Sequence, residues 1–386
     1  MPTPRHPRPL LALIAAVLAF AAGSTQELLA TCGVFTDVGD GNIFCGSILQ
    51  VYYLGITSGT SATTYNPSGT VTREQMAAFL ARTYDRAAVR TSRRAAMDQF
   101  WTTQAAANVG LTTIGLSPRL VKSDGSDVWV ANLGAGTVSR VHGSDGKVLQ
   151  TWTGATGATG VLSAMGAILV TGSTSPGSLY RIDPSQPEGA ATLVTSSLGN
   201  GPQGIAFDGS KIWTANFGEG SVSIVTPGTW TDLTVSTGFS GPYGILYDGA
   251  NVWVTDLNAG TLLKLDSNGA ILQTVPVGTE PLFPIFDGTN IWVPNNLSNS
   301  VTVVRASTGD VLTTLTGNGL SFPVAAAFDG QRVLVTNNGT DSASLWKASD
   351  LSAIGSVPMN QGPYGACSDG IHFWITLSNN AQLARF

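Results

Sequence analysis

Beyond its first thirty residues the chain holds two histidines, His142 and His372, and three cysteines, Cys32, Cys45 and Cys367. A histidine base in acyl transfer works beside a nucleophile and an acid, and the serine of many hydrolases sits in a G-x-S-x-G turn. That turn is absent. His142 closes the segment TVSRVH and His372 precedes the apolar pair Phe373-Trp374. Both read as polar turn sites at the rim of a sheet, not as bases facing a pocket. No H-x-x-x-H, C-x-x-C or EF-hand loop occurs, so no metal-ligand spacing is recognisable. No metal or cofactor is expected. Recurrent Asp-Gly pairs are compatible with Ca²⁺, but turn formation accounts for them.

Those Asp-Gly pairs organise most of the chain. They stand at Asp124, Asp208, Asp248, Asp287, Asp329 and Asp369, with Met165-Gly166 as a weaker copy, and successive glycines are 41, 43, 40, 39, 42 and 40 residues apart. Seven anchors at that spacing mark a repeat architecture. Each copy carries a segment such as GPQGIAF before the anchor, then IWTAN, then SVSIV, then a Thr/Val-rich segment such as ILQTVPV. These are β-branched and aromatic runs bounded by Gly, Asn, Asp and Ser, which is how short strands read. Four antiparallel strands per copy make a propeller blade. Trp129, Trp213, Trp253, Trp292 and Trp374, with Leu169 and Leu334 in the remaining copies, form a column expected in the core between blades.

The seventh copy ends after three strands at Phe386, and GLTTIGLS at 110–117 resembles a missing fourth strand. Pairing the two ends closes the ring and removes exposed strand edges. The expected fold is mainly β: a seven-bladed β-propeller over 109–386. The residue after the proline of G-P-x-G should then face one mouth of the central channel. Read by this pattern, the ring is Arg119, Gly160, Gln203, Tyr243, Leu282, Val324 and Tyr364. Arg119, Gln203, Tyr243, Leu282 and Tyr364 are the candidate binding residues, because Tyr and Arg are frequent anchors of recognition sites. The alternative is that they only fill the channel. Glu280 is the single acid in the innermost segments.

The pattern G-P-x-G-I, D-G-x-x-I-W-V-T-N and S-V resembles the YVTN/NHL class of bacterial propellers, which includes streptogramin B lyase-like proteins. The resemblance implies the propeller fold and leaves function open, since such propellers host enzymes and binding modules alike. It also implies an alternative activity, a metal-dependent lyase or lactonase. The lyase reading asks for a channel-facing histidine that the spacing does not supply.

The N-terminal part differs. Arg5, His6 and Arg8 precede the apolar run 10–22 and small residues near Gly23, which reads as a secretory signal over 1–23, with an uncleaved anchor as the alternative. Charged residues are 11% of the chain and the net charge is −5; no basic patch suggests a nucleic-acid partner. Two helices are expected, near 42–54 and 73–84. Thr72 and Gln75 form a capping box for the second, and Met76, Phe79 and Leu80 give it an apolar face. Cys32 and Cys45 are spaced to staple this small unit as a disulfide in an exported chain, which leaves Cys367 on an innermost strand, buried. Residues 87–108 read as a linker.

Phe35-x-Asp37-Val38, Gly55-Ile56-x-x-Gly59, Tyr65-x-Pro67 and Val71-Thr72-Arg73-Glu74-Gln75-Met76-Ala77-x-Phe79-Leu80 resemble a surface-layer homology module over 31–86. The resemblance implies that Thr72 and Arg73 contact anionic cell-wall polysaccharide; the alternative for Arg73 is an exposed helix residue. Where the family commonly joins three modules, this chain has one, so it either forms a homotrimer, pairs with another protein, or leaves glycan unbound. Taken together, the sequence reads as a protein of the cell surface. Its module associates with envelope polysaccharide, and its propeller serves as a scaffold for a protein, peptide or glycan ligand.

Overall fold

A computed structural model describes residues 31–39, 41–53, 56–89 and 110–386. The expected signal at 1–23, Gly55 and most of the linker at 87–108 lie outside the described residues. The chain divides into two compact units, 1–87 and 88–386.

In the first unit β1 (Thr31–Cys32) and β2 (Phe35–Gly39) form a two-stranded sheet, followed by α1 (Cys45–Tyr53) and α2 (Arg73–Val89). The helix α1 starts three residues later than the sequence pattern suggests, because Asn42 spends its side chain on the turn: its Oδ1 accepts from the Phe44 N–H at 2.9 Å. The core is Cys32, Phe35, Val38 and Ile48. Phe35 meets Tyr52 edge-on at 5.0 Å and Tyr65 at 5.3 Å. Asp37 fixes the long connection by accepting from the N–H groups of Tyr65 (2.9 Å) and Asn66 (2.7 Å); the Tyr65 bond is the main cause holding its carboxyl below the usual range. Cys32 and Cys45 form a disulfide with Cα atoms 5.5 Å apart.

The second unit is a seven-bladed propeller of four-stranded antiparallel sheets. Blade one is β4 (Pro118–Ser123), β5 (Asp127–Asn132), β6 (Thr137–His142) and β7 (Val148–Trp152), ordered from the channel outward. Blade seven takes three strands from the C-terminus, and its fourth is β3 (Gly110–Thr113), paired with Gln382–Arg385 in the register Gly110↔Arg385 to Thr113↔Gln382. The ring closes as the sequence predicts.

The Trp column is fully buried in the blade cores. Each Asp-Gly anchor has a double task. In blade one, Asp124 Oδ1 accepts from the N–H groups of Ser126 and Asp127, while Oδ2 accepts from the Trp129 indole at 2.8 Å. Asp208, Asp248, Asp287 and Asp369 hold their tryptophans likewise at 2.7 Å. The glycine that follows has φ near 95° in blade one, a conformation that strongly favours Gly. Blade six lacks the tryptophan. There Arg332 Nε donates to Asp329 Oδ2 at 2.7 Å, and its guanidinium lies 5.2 Å over the Phe373 ring.

Blade five departs from four full strands. Pro281 and Pro284 interrupt its inner segment, because proline gives no N–H to a ladder; only Ile285–Phe286 remains as strand. Phe283 pairs across to Ala325 of blade six instead.

Candidate functional site

The residue after each proline is aimed by the two glycine-flanked ends of G-P-x-G. A Cβ at Gly244 would fall 2.3 Å from the Leu282 carbonyl, and one at Gly365 would fall 2.4 Å from the Arg119 carbonyl. Glycine is therefore required at these two positions, where the adjacent inner strand approaches most closely. A threonine on the second strand clamps the same contact. Thr255 Oγ1 accepts from Gly244 N at 2.8 Å and donates to Leu282 O at 2.7 Å. Thr336 bridges Ala325 and Tyr364, and Thr376 bridges Gly365 and Arg119, in the same way. The backbone of the mouth ring is thus held by the neighbouring blades.

The register corrects one ring position. Ala158 pairs with Gly172 as Pro202 pairs with Asn216, so the blade-two member is Thr159, not Gly160. Thr159 is buried, and its hydroxyl donates to Pro202 O at 2.8 Å. Gly160 matches the close-approach glycine: its Cβ would meet the Gln203 carbonyl at 2.7 Å.

A cavity of about 510 Å³ opens at this mouth, lined by Arg119, Tyr243, Leu282, Val324 and Tyr364 of the ring. Tyr243 of blade four and Tyr364 of blade seven meet with hydroxyls 3.0 Å apart. In a ring of seven these blades are nearly opposite, so the pair forms a bar across the channel. Phe283 packs between them, 5.1 Å from Tyr243 and 5.9 Å from Tyr364, and Phe217 abuts Tyr243 at 5.5 Å. The Arg119 guanidinium lies 4.5 Å over the Tyr364 ring, a cation–π geometry. Burial, then the Tyr364 phenol beside it, pushes the Tyr243 hydroxyl well above the usual phenol range. The Tyr243 phenol is therefore neutral at physiological pH.

Gln203 turns away from this group, its Nε2 donating to Ser173 Oγ at 3.1 Å and to Gly201 O at 3.3 Å. The cavity is completed by residues that the sequence reading left out, including Ser117, Phe322, Asn296, Asn338, Ser378 and Asn379. Asn296, Asn338 and Ser378 share one repeat position, directly after the second strand. Following that column through the copies would have found them. Glu280 also lines the mouth.

Neither histidine lines it. His142 Nδ1 lies 3.0 Å from Asp145 Oδ1 at an exposed turn, and His372 Nδ1 lies 3.4 Å from Asp369 Oδ2 beside Trp374. Among the described residues no three His, Cys, Asp or Glu side chains gather as metal ligands.

In the first unit Thr72 and Gln75 form the capping box: Gln75 N donates to Thr72 Oγ1 at 3.1 Å, and Thr72 N donates to Gln75 Oε1 at 2.9 Å. Arg73, the first residue of α2, is exposed. A separate apolar groove of about 320 Å³ is lined by Asn42, Phe44, Ser47, Ile48, Val51, Tyr65 and Pro67.

Residues 34–77 match the S-layer homology domain family. No curated protein matches the chain in sequence. Among solved structures, a streptogramin B lyase aligns with a TM-score of 0.61 at 16% identity, covering 73% of this chain and 98% of its own. A catalytically inactive histidine-to-alanine variant of virginiamycin B lyase from Staphylococcus aureus, solved with quinupristin, aligns with 0.60 at 17%, covering 72% and 99%. The hydrazine synthase of Kuenenia stuttgartiensis aligns equally well, 0.60 at 16%, covering 71% and 97%. Such likeness speaks for the fold and not for an activity. The chain therefore joins an S-layer homology domain, a module that implies association with the cell envelope, to a seven-bladed β-propeller of the fold seen in streptogramin B lyases.

Proposed function

We propose that this is an exported envelope protein. Its S-layer homology domain holds it to cell-wall polysaccharide, and its propeller presents the channel mouth as a non-enzymatic ligand site. The observation that carries the reading is the pairing of that domain with a mouth built from Arg119, Tyr243 and Tyr364 around a cavity of about 510 Å³. S-layer homology domains generally bind cell-wall polysaccharide, and exposed Arg73 offers a guanidinium fork for its anionic groups. The lyase alternative gains no support from the mouth. The S. aureus lyase variant is inactive with one histidine replaced, whereas His142 and His372, the histidines among the described residues, engage aspartates away from the cavity.

The single module leaves the apolar side chains of Ile43, Phe44, Val71, Met76 and Leu80 exposed, and association with further copies of the module is one way to cover them. We read this as support for a homotrimer; a monomeric mass by light scattering would remove it.

The test of anchoring is retention of the mature protein on purified cell walls, wild type beside Arg73→Ala. Retained wild type and a lost variant support anchoring through α2. Equal retention of both takes Arg73 out of the site, and failure of both sinks the anchoring reading.

A further inference from the structure

Arg119 is the one cation among the residues lining the mouth, and Glu280 the one carboxylate. Among the described residues the two form no ion pair. The Arg119 guanidinium stacks on Tyr364 at 4.5 Å, and its buried Nε has no hydrogen-bond partner. Its backbone is fixed by the Thr376 hydroxyl at 2.7 Å. A guanidinium seated over a ring, with no hydrogen bond from its nitrogens among the described residues, is available to a planar two-oxygen anion.

The rest of the mouth narrows the ligand. Leu282 and Val324 are buried within it, at 8% and 2% exposure, so they offer no deep apolar pocket for a side chain. The lining also holds amides and hydroxyls: Asn338 of blade six, and Ser378 and Asn379 of the Tyr364 blade. Asn338 Nδ2 reaches Pro363 O at 3.5 Å, which orients its amide. Exposed Phe322 adds an apolar face at the rim. Amides and hydroxyls suit a polyol, an aromatic face suits a sugar ring, and the free fork suits a carboxylate.

We infer that the mouth binds a sugar acid, a saccharide bearing a carboxylate that Arg119 grips while Asn338, Asn379 and Ser378 meet its hydroxyls. This rests on the reading of the mouth as a ligand site. It makes both ends of the chain readers of acidic glycan, Arg73 at the wall module and Arg119 at the propeller.

The experiment is calorimetric titration of the full mature chain carrying Arg73→Ala, so that the wall module contributes nothing. The probes are trigalacturonate, its methyl ester and neutral galactotriose. The expected result is saturable binding of trigalacturonate, with ester and neutral sugar at least about tenfold weaker, the size of losing one charge-assisted hydrogen bond. Adding Arg119→Gln should remove that preference, while Arg119→Lys should keep part of it; an unchanged melting temperature certifies the fold of each. Equal binding of all three probes, unmoved by Arg119→Gln but weakened by Asn338→Ala, overturns the carboxylate inference and leaves the mouth a glycan site. Binding of no probe, or binding unmoved by both variants, overturns the inference and, for saccharides, the mouth reading with it.

Discussion

Thr376 does two jobs with one hydroxyl. It accepts from Gly365 N at 2.8 Å and donates to Arg119 O at 2.7 Å, joining the last blade to the first. Thr376→Val keeps the shape and leaves two backbone groups without partners in the closed ring. Such loss costs about 2 kcal/mol or more, so chemical unfolding should show that drop and Thr376→Ser should recover most of it. A variant as stable as wild type would show that the clamp contributes nothing. The anchor aspartates make a second prediction at this scale. For Asp124, Asp208 and Asp369, burial pushes the carboxyl upward. Hydrogen bonds from backbone N–H groups and the tryptophan indole, joined at Asp369 by His372, outweigh it and hold each below the usual range. A depressed folded value means stability that is present above the unfolded carboxyl range and lost as pH falls through the folded one. The melting temperature of the propeller should therefore fall as pH drops below about 4, and Asp208→Asn should flatten that dependence. A melting temperature flat from neutral to strongly acid pH would contradict this.

Blades differ in how far they can be read from sequence, and the differences have physical causes. The Trp column and the Asp-Gly anchors were legible because one residue type recurs at one spacing. The closing strand was legible because the seventh copy stops after three strands and GLTTIGLS resembles the last strand of the other blades. The mouth was legible only in part. Arg119, Tyr243 and Tyr364 were visible as a ring, but the contact between the two tyrosines depends on which blades stand opposite, a property of ring closure and not of any local pattern. Gly160 was misplaced by one residue because blade two has Ala158 where other copies have proline, so the marker that sets the frame is missing. The closing strand also gives the prediction of this scale. Deleting 110–113 uncovers the edge of Gln382–Arg385, whose Leu383 and Ala384 are now fully buried. An uncovered edge beside apolar side chains invites pairing between molecules. The deletion should lower the melting temperature and produce concentration-dependent association in light scattering; a stable monomer would show that three strands suffice to finish the ring.

At the scale of the whole molecule, the two units rest on different physics. The propeller buries seven blade cores, while the first unit, among its described residues, has one small cluster of Cys32, Phe35, Val38 and Ile48, with Ile56 also buried, and a disulfide. A unit so small commonly needs a covalent staple, because too little apolar area leaves water on folding to offset chain entropy. The bridge closes a loop across a separation of 13 residues, which in the chain-entropy model contributes roughly 3 kcal/mol. Cys367 cannot answer a reductant in the same way: it is unpaired and buried in the propeller, and burial pushes its thiol up to about 12, so little reactive thiolate exists at neutral pH. Scanning calorimetry with and without reductant should therefore move one transition only. The first unit should melt at markedly lower temperature once reduced, as should Cys32→Ser, while the propeller transition stays in place. Movement of the propeller transition would reveal that its stability depends on the first unit. Movement of neither would show that Phe35, Val38 and Ile48 hold the module without the bridge, so that anchoring would survive reduction.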